Sequence, residues 1–298
     1  PYIERAQQRN LRRRLIMKTI QADPTTQQRQ LRLDDLLPRL LNRAVEAGVF
    51  QATDSYDKKE RTVAVWLMQE FSPLDRRISL EGLGLLQFRP VQPLGWNVPS
   101  FLKESPWNFN SQQAFDLITL LLNTLRRQGA ITYLLNQRVD LLQESAFAPR
   151  QKAFYFRQEG SNPKQGVFGW LPTGSFSNAR LDLLERLLVQ RGIDQKQARQ
   201  PAQELLRNLW DYLSNPREPW AKHFNVESVA NAGVVHRIDQ TLWDIVPTPE
   251  TDLTGWHICD RCQNISAISL NGVCPTYGCI GTLRPLSSQA AALSTNLY

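Results

Sequence analysis

All four cysteines of this chain fall within one short stretch, where Cys259, Cys262, Cys274 and Cys279 are spaced C-x2-C-x11-C-x4-C. Two close pairs of thiols joined by a short loop can bring four sulfurs to the corners of a tetrahedron, the arrangement that holds Zn2+. His257-Ile258-Cys259-Asp260-Arg261-Cys262 forms one candidate knuckle. Gly272-Val273-Cys274-Pro275 and Gly278-Cys279-Ile280-Gly281 form the other. The glycines are expected to supply positive-φ turns that aim backbone N–H groups at thiolates. Ile265, Ala267, Ile268 and Leu270 suit short strands between the pairs. The pattern reads as a zinc ribbon whose second pair has a wider gap than usual. Four thiolates fill the coordination shell, so the ion is structural and leaves no open position for a catalytic water. His257 could replace one sulfur, but the set is complete without it. Trp256 beside the first knuckle reads as a packing residue. The competing reading is two disulfides. A chain of 298 residues has other means of building a core, and no secretory signal is visible.

Charge and motifs narrow the function classes. Lys and Arg number 35 against 28 Asp and Glu, a net charge of +7, which permits nucleic-acid binding without requiring it. No run of eighteen apolar residues exists, so no membrane span is expected and the chain reads as soluble. Reduced cysteines in a metal site fit a cytoplasmic protein. The chain opens Pro1-Tyr2-Ile3 with no initiator Met and stops at Tyr298, which reads as a piece of something longer. There is no G-x-x-x-x-G-K-[ST] loop, no Asp-Glu-Ala-Asp or Asp-Glu-Ala-His box, no G-x-S-x-G elbow and no H-E-x-x-H helix. The three histidines, His223, His236 and His257, flank no candidate nucleophile. Asp34-Asp35 is read as opening a helix, where negative charge complements the dipole. No catalytic residue is assigned.

Periodicity points to a mainly α fold with small β elements: a helical bundle, a winged-helix-like unit and a C-terminal zinc ribbon. Residues 1–110 read as a helical region ending in a proline-rich linker. Helices are expected to residue 22, stopped by Asp23-Pro24-Thr25-Thr26, and over Leu33–Ala47, closed by Gly48. Ala52–Arg61 reads as a loop, Thr62–Phe71 as a helix, and Ile78–Arg89 as strand-bearing. The segment Pro90–Pro106 carries four prolines with Trp96 and Trp107 nearby, expected as cover packing. Residues 111–175 read as a helix over Ser111–Arg127, N-capped by Ser111, then Ile131–Leu142, then a hairpin of Lys152–Arg157 with Val167–Leu171. In 176–247, three helices (Asn178–Val189, Ile193–Arg199, Pro201–Leu213) precede strands over Val226–Asp239 and Thr241–Val246. Three helices and a hairpin make the order of a winged helix. Its third helix carries Arg207 beside Glu204 and Asp211, too mixed in charge to read bases. Pro247–Thr254 links this unit to the ribbon at 254–286.

The first helix has a second face. Arg5, Arg9, Arg12 and Arg13 line it opposite Leu11, Leu15, Ile16 and Ile20. Such a row can hold phosphates, which makes these four the candidate nucleic-acid-binding residues. Solvent or acidic neighbours account for it equally well.

Trp256-His257-Ile258-Cys259-Asp260-Arg261-Cys262, with Gly272-Val273-Cys274-Pro275 and Cys279-Ile280-Gly281-Thr282-Leu283, resembles the four-cysteine region near the C-terminus of large bacterial superfamily-two DEAD/DEAH-box helicases. Helicases of this kind occur in anti-phage defence systems such as DISARM and Druantia. The opening Pro1-Tyr2-Ile3-Glu4-Arg5, with Arg9-Asn10-Leu11-Arg12-Arg13, resembles the helix after the second motor domain, and Leu80-Glu81-Gly82-Leu83-Gly84-Leu85 is similar to a short motif there. The resemblance implies an accessory segment of an ATP-dependent helicase. ATP, Mg2+ and the motor would belong to the parent protein, upstream of Pro1. It carries over the four cysteines as zinc ligands, and it implies nucleic acid (DNA above all), the motor domains and defence-system proteins as partners. A stand-alone zinc-ribbon nucleic-acid-binding protein, such as a transcription factor, and a zinc-stapled interaction scaffold remain the alternatives.

Overall fold

The computed structural model describes residues 2–22, 31–73, 76–136, 155–249 and 255–286. The expected helix stop at 23–26, much of the 131–142 segment, the start of the 152–157 strand and most of the 247–254 linker lie outside them. Among the described residues there are seven α-helices and three small sheets. One cluster of buried apolar side chains runs from Leu15 to Val273, so the four expected segments share a core. No described helix is long and apolar enough to cross a membrane.

The N-terminal helices are α1 (Tyr2–Gln21), α2 (Leu33–Glu46) and α3 (Tyr56–Phe71). Helix α2 buries Leu33, Leu36, Leu37, Leu40, Leu41 and Ala44, the i, i+3, i+4 stripe of an amphipathic helix. Helix α3 begins well before Thr62, inside the stretch expected as a loop. Ser55 accepts from the Lys58 backbone N–H and so caps it, and the polar residues that follow form its exposed first turn. Pro90–Pro106 is irregular apart from the short α4 (Ser100–Lys103), and it buries Trp96 and Trp107 as expected.

Helix α5 (Ser111–Gln128) is capped by Asn110, one residue before the expected cap. The Asn110 side chain accepts from Gln113 N–H at 2.9 Å, and the Gln113 side chain accepts from Asn110 N–H at 3.1 Å, a reciprocal capping box. Helices α6 (Ala179–Gln190) and α7 (Gln195–Ser214) follow. Two helices stand here where three are expected, because α7 runs through Pro201. Proline fixes φ near its helical value and removes one bond to the preceding turn. The buried stripe Ala198, Ala202, Leu205, Leu206, Leu209 and Leu213 holds both sides of it in one helix.

The strands depart further from expectation. Strand β1 (Leu86–Pro90) pairs antiparallel with β6 (Trp243–Pro247), Phe88 facing Ile245. Strands β2 (Tyr155–Arg157) and β3 (Val167–Gly169) pair in parallel, so they are no hairpin: the chain runs back to Asn162, which bridges antiparallel to Val167, and a 3-10 turn at Pro163–Gln165 leads into β3. The hairpin is β4 (Phe224–Val229) with β5 (Gly233–Ile238), turning within the stretch expected as one strand. Their sheet has the order β3-β2-β5-β4. Strand β6 leaves this sheet because Trp243 and Ile245 have the β1 core to fill.

Charge is buried in this core. Arg126 is fully enclosed. It donates to Glu81, to the Phe71 carbonyl and to Asn123, and lies over the rings of Phe71, Phe88 and Trp243. Burial pulls its pKa down to about 10, against the pull of Glu81. Arg180 is also enclosed, held by the carbonyls of Gly169 and Trp170 and by the Thr124 hydroxyl. Burial takes it to about 9.

His223 is enclosed beside Trp220, its Nε2 2.8 Å from the Val91 carbonyl. Burial lowers its pKa below the ordinary 6.5, and the same holds for His236. A base held neutral in the fold binds its proton later than the unfolded chain does, so stability is full above pH 6.5 and falls as pH drops below it. The urea midpoint is expected to fall between about pH 7.5 and about pH 5.5, and His223→Gln to flatten that fall. An unchanged slope in the variant removes His223 from the account.

Candidate metal centre

Strands β7 (His257–Cys259), β8 (Ile265–Ser266) and β9 (Leu283–Pro285) form an antiparallel sheet in the order β8-β7-β9. Cys259 ends β7, and Cys262 follows in the turn toward β8. Cys274 and Cys279 sit on the long loop from β8 to β9. The four Sγ atoms lie within 4.8 Å of one another. Cys259 and Cys279 stand 3.6 Å apart, and Cys262 and Cys274 3.5 Å apart. Thiolates around an ion at about 2.3 Å would stand about 3.8 Å apart, so the spacing fits one tetrahedral ion. All four cysteines are free, and the two-disulfide reading is not what the fold adopts.

The backbone prepares the site for negative sulfur. Arg261 N–H donates to Cys259 Sγ at 3.5 Å and Gly281 N–H to Cys279 Sγ at 3.4 Å, each two residues past its cysteine. Gly272 and Gly278 take positive φ as expected. Gly281 works by space instead. A Cβ there would meet Cys259 Sγ at 2.5 Å and Arg261 Cβ at 2.6 Å, so only glycine lets the two knuckles close on each other. Burial alone would raise the Cys262 thiol, but its hydrogen bonding with the Thr276 hydroxyl, 3.6 Å away, and with the Asn264 backbone brings it down to about 7. Burial pushes Cys274 up to about 12. A cation is needed to ionise the full set.

A pair of residues outside the motif locks the second knuckle. Arg186 of α6 donates to three carbonyls of that loop: Cys274 at 2.5 Å, Cys279 at 2.7 Å and Thr276 at 3.1 Å. Asp182, one turn earlier, pairs with Arg186 at 2.7 Å and accepts from Gly278 N–H at 3.1 Å. Ile268, Leu270 and Val273 of the loop belong to the main core. In sequence, Asp182 and Arg186 look like any i, i+4 helix pair, and no spacing signal connects them to the cysteines.

No family model, no curated protein and no solved structure matches this chain.

The arginine row meets a different fate from the cysteines. Arg13 is buried and donates to Glu70 at 2.8 Å; Arg12 donates to Gln69 and, at 3.3 Å, to Glu70. Glu70 also accepts from Leu80 N–H. Glu70 of the chain's own α3 thus pairs with both Arg12 and Arg13. Arg9 is half-buried beside them, and Arg5 lies on α1 with its side chain outside the description. Asp34 and Asp35 stand in the first turn of α2, where Asp35 accepts from Arg32 N–H and Asp34 from the Gln240 side chain.

Proposed function

We propose that this chain is a nucleic-acid-binding accessory segment of an ATP-dependent helicase or translocase of bacterial anti-phage defence, and that Zn2+ is the structural ion of its four-cysteine lobe. Softness favours zinc: four thiolates in a closed tetrahedral set suit it and exclude hard cations such as Mg2+. The helicase setting rests on the likeness of the cysteine segment, with the motor, ATP and Mg2+ on the parent protein.

The observation that carries nucleic-acid binding is the order of elements from α5 to β5. Helix α5, strands β2 and β3, helices α6 and α7, then the β4–β5 hairpin, with β2, β5 and β4 adjacent and antiparallel, resemble the winged-helix order with β3 as an addition. In this reading the unit begins at Ser111 rather than at residue 176, and α5 serves as its first helix. In this reading α7 lies against the nucleic acid through a mixed surface, with Lys196, Glu204, Arg207 and Asp211 exposed. That composition suits backbone docking more than base reading.

Fluorescence anisotropy with labelled single-stranded and duplex oligonucleotides tests the proposal. Binding is expected without ATP and should weaken linearly in log–log form between about 50 and about 200 mM salt. ATP-driven unwinding is expected of the parent protein alone. No binding to DNA or RNA at low salt would overturn the reading. It would leave the interaction scaffold, which the closure of Arg12 and Arg13 on Glu70 favours.

A further inference from the structure

The two knuckles are not equally fixed by their own chain. Cys259 and Cys262 close a tight turn, in which Gln263 N–H donates to the Cys259 carbonyl at 3.1 Å. Cys274 and Cys279 have four residues between them against two in the first pair, and a longer loop costs more entropy to close. Inside it, Cys279 N–H donates to the Thr276 carbonyl at 3.1 Å. The carbonyls of Cys274, Thr276 and Cys279 all turn toward one guanidinium, that of Arg186. Oxygens gathered in this way repel one another unless donors stand among them.

Those donors come from outside the lobe. Arg186 Nη1 serves Cys274 and Cys279, and Nη2 serves Thr276. Asp182 holds the same guanidinium through its Nε and Nη2, at 3.1 and 2.7 Å. A planar fork fixed at one edge presents its remaining donors in a set geometry. An oxygen engaged by Arg186 is also kept from facing the sulfurs, whose negative charge it would repel. Thr276 ties in the other knuckle, since its hydroxyl lies 3.6 Å from Cys262 Sγ. The positive charge of Arg186, set against the backbone of two ligand residues, offsets part of the negative charge left when four thiolates meet one divalent ion.

We propose that Arg186 is the positioning residue of the metal centre: anchored on Asp182, it holds the Cys274–Cys279 loop in ligand geometry before the ion arrives, and so sets the affinity of the chain for zinc. Helix α6 and the ion are then linked. Whatever α6 adds to metal binding, the metal adds to the seating of the lobe on α6. The assignment rests on the zinc reading above and adds the residue, outside the cysteine motif, that tunes the site.

Zinc affinity is measured on the full chain by competition with a chromophoric chelator, at a temperature where circular dichroism shows the variants folded. Arg186→Met keeps the stem and removes the donors. It should weaken zinc binding about 10- to 100-fold, the cost of losing a group that orients metal ligands. Arg186→Lys keeps a charge beside Asp182 but offers a single nitrogen to three carbonyls, and should recover only part of the loss. Asp182→Asn leaves Arg186 in place and loosens it, with a smaller loss in the same direction. Arg199→Met is the control: its described partners are Glu185 of α6 and the carbonyls of Gly174 and Phe176, none of them in the lobe, so zinc should bind as in the parent chain. Saturating zinc should raise the urea midpoint of the helical signal less in Arg186→Met than in the parent. Parent affinity in Arg186→Met or in Arg186→Lys overturns the assignment and leaves the zinc site standing. An equal loss in Arg199→Met, or an equal rise of the urea midpoint, does the same. Should Arg186→Met fail to fold, Arg186→Lys and Asp182→Asn carry the same test. No zinc bound by the parent chain overturns both the assignment and the zinc reading.

Discussion

Replacing Cys259 or Cys274 by Ser is expected to abolish the one equivalent of zinc per chain and to open the C-terminal lobe. Both side chains are buried, and serine offers a far weaker ligand at the same place. The remaining three thiolates would hold the ion loosely, and its binding free energy is folding free energy for a lobe this small. Elemental analysis after dialysis measures the first effect. Limited proteolysis measures the second, with new cleavages expected within 255–286. The helices before β6 should persist, since the lobe adds only Ile268, Leu270 and Val273 to the core that they share. Zinc retained at one per chain in both variants would rule out the four-thiolate site.

The second large effect is expected at Arg126. Truncation to Ala leaves the buried Glu81 without its nearest cation, with Arg127 standing farther off at 3.3 Å, and removes a cation from a box of three aromatic rings. Breaking a buried pair from one side costs about 3–5 kcal/mol. Removing both charges, as in Arg126→Met with Glu81→Gln, should recover a good part of that loss, because no uncompensated charge remains. Urea midpoints of the two variants decide the matter. Equal loss in single and double variants would mean that packing, not charge, governs the site.

The cysteine lobe was legible because its constraint is local: four ligands within one short stretch, held by knuckles of a few residues each. The arginine row was legible as a pattern, but its partner within the chain was not. Nothing near Arg12 and Arg13 in sequence announces Glu70, which approaches only when α3 packs on α1. Helix α5 was plain from its leucines, while the loop assignment over 52–61 failed because polar residues fill the exposed first turn of α3. Strand partners were the least legible part. Periodicity marks a strand but not its neighbour, and here β2 and β3 turn out parallel while β6 pairs with a strand far upstream. Asp182 and Arg186 escaped notice for the same reason, since Arg186 donates to carbonyls of a distant loop and Asp182 accepts from an N–H of it.

The pairing of β1 with β6 also sets a timetable for synthesis on the ribosome. Leu86 and Phe88 are buried in the finished protein partly by Trp243 and Ile245, and Leu31 bridges to Ile245 as well. All three must wait for the chain to be made through Pro247. At about 5–20 residues per second that interval is on the order of ten seconds. During it the N-terminal helices have their own contacts but an apolar seam still open to water. The nascent chain therefore passes through a stage at which holding factors can bind it, and the emergence of β6 ends that stage.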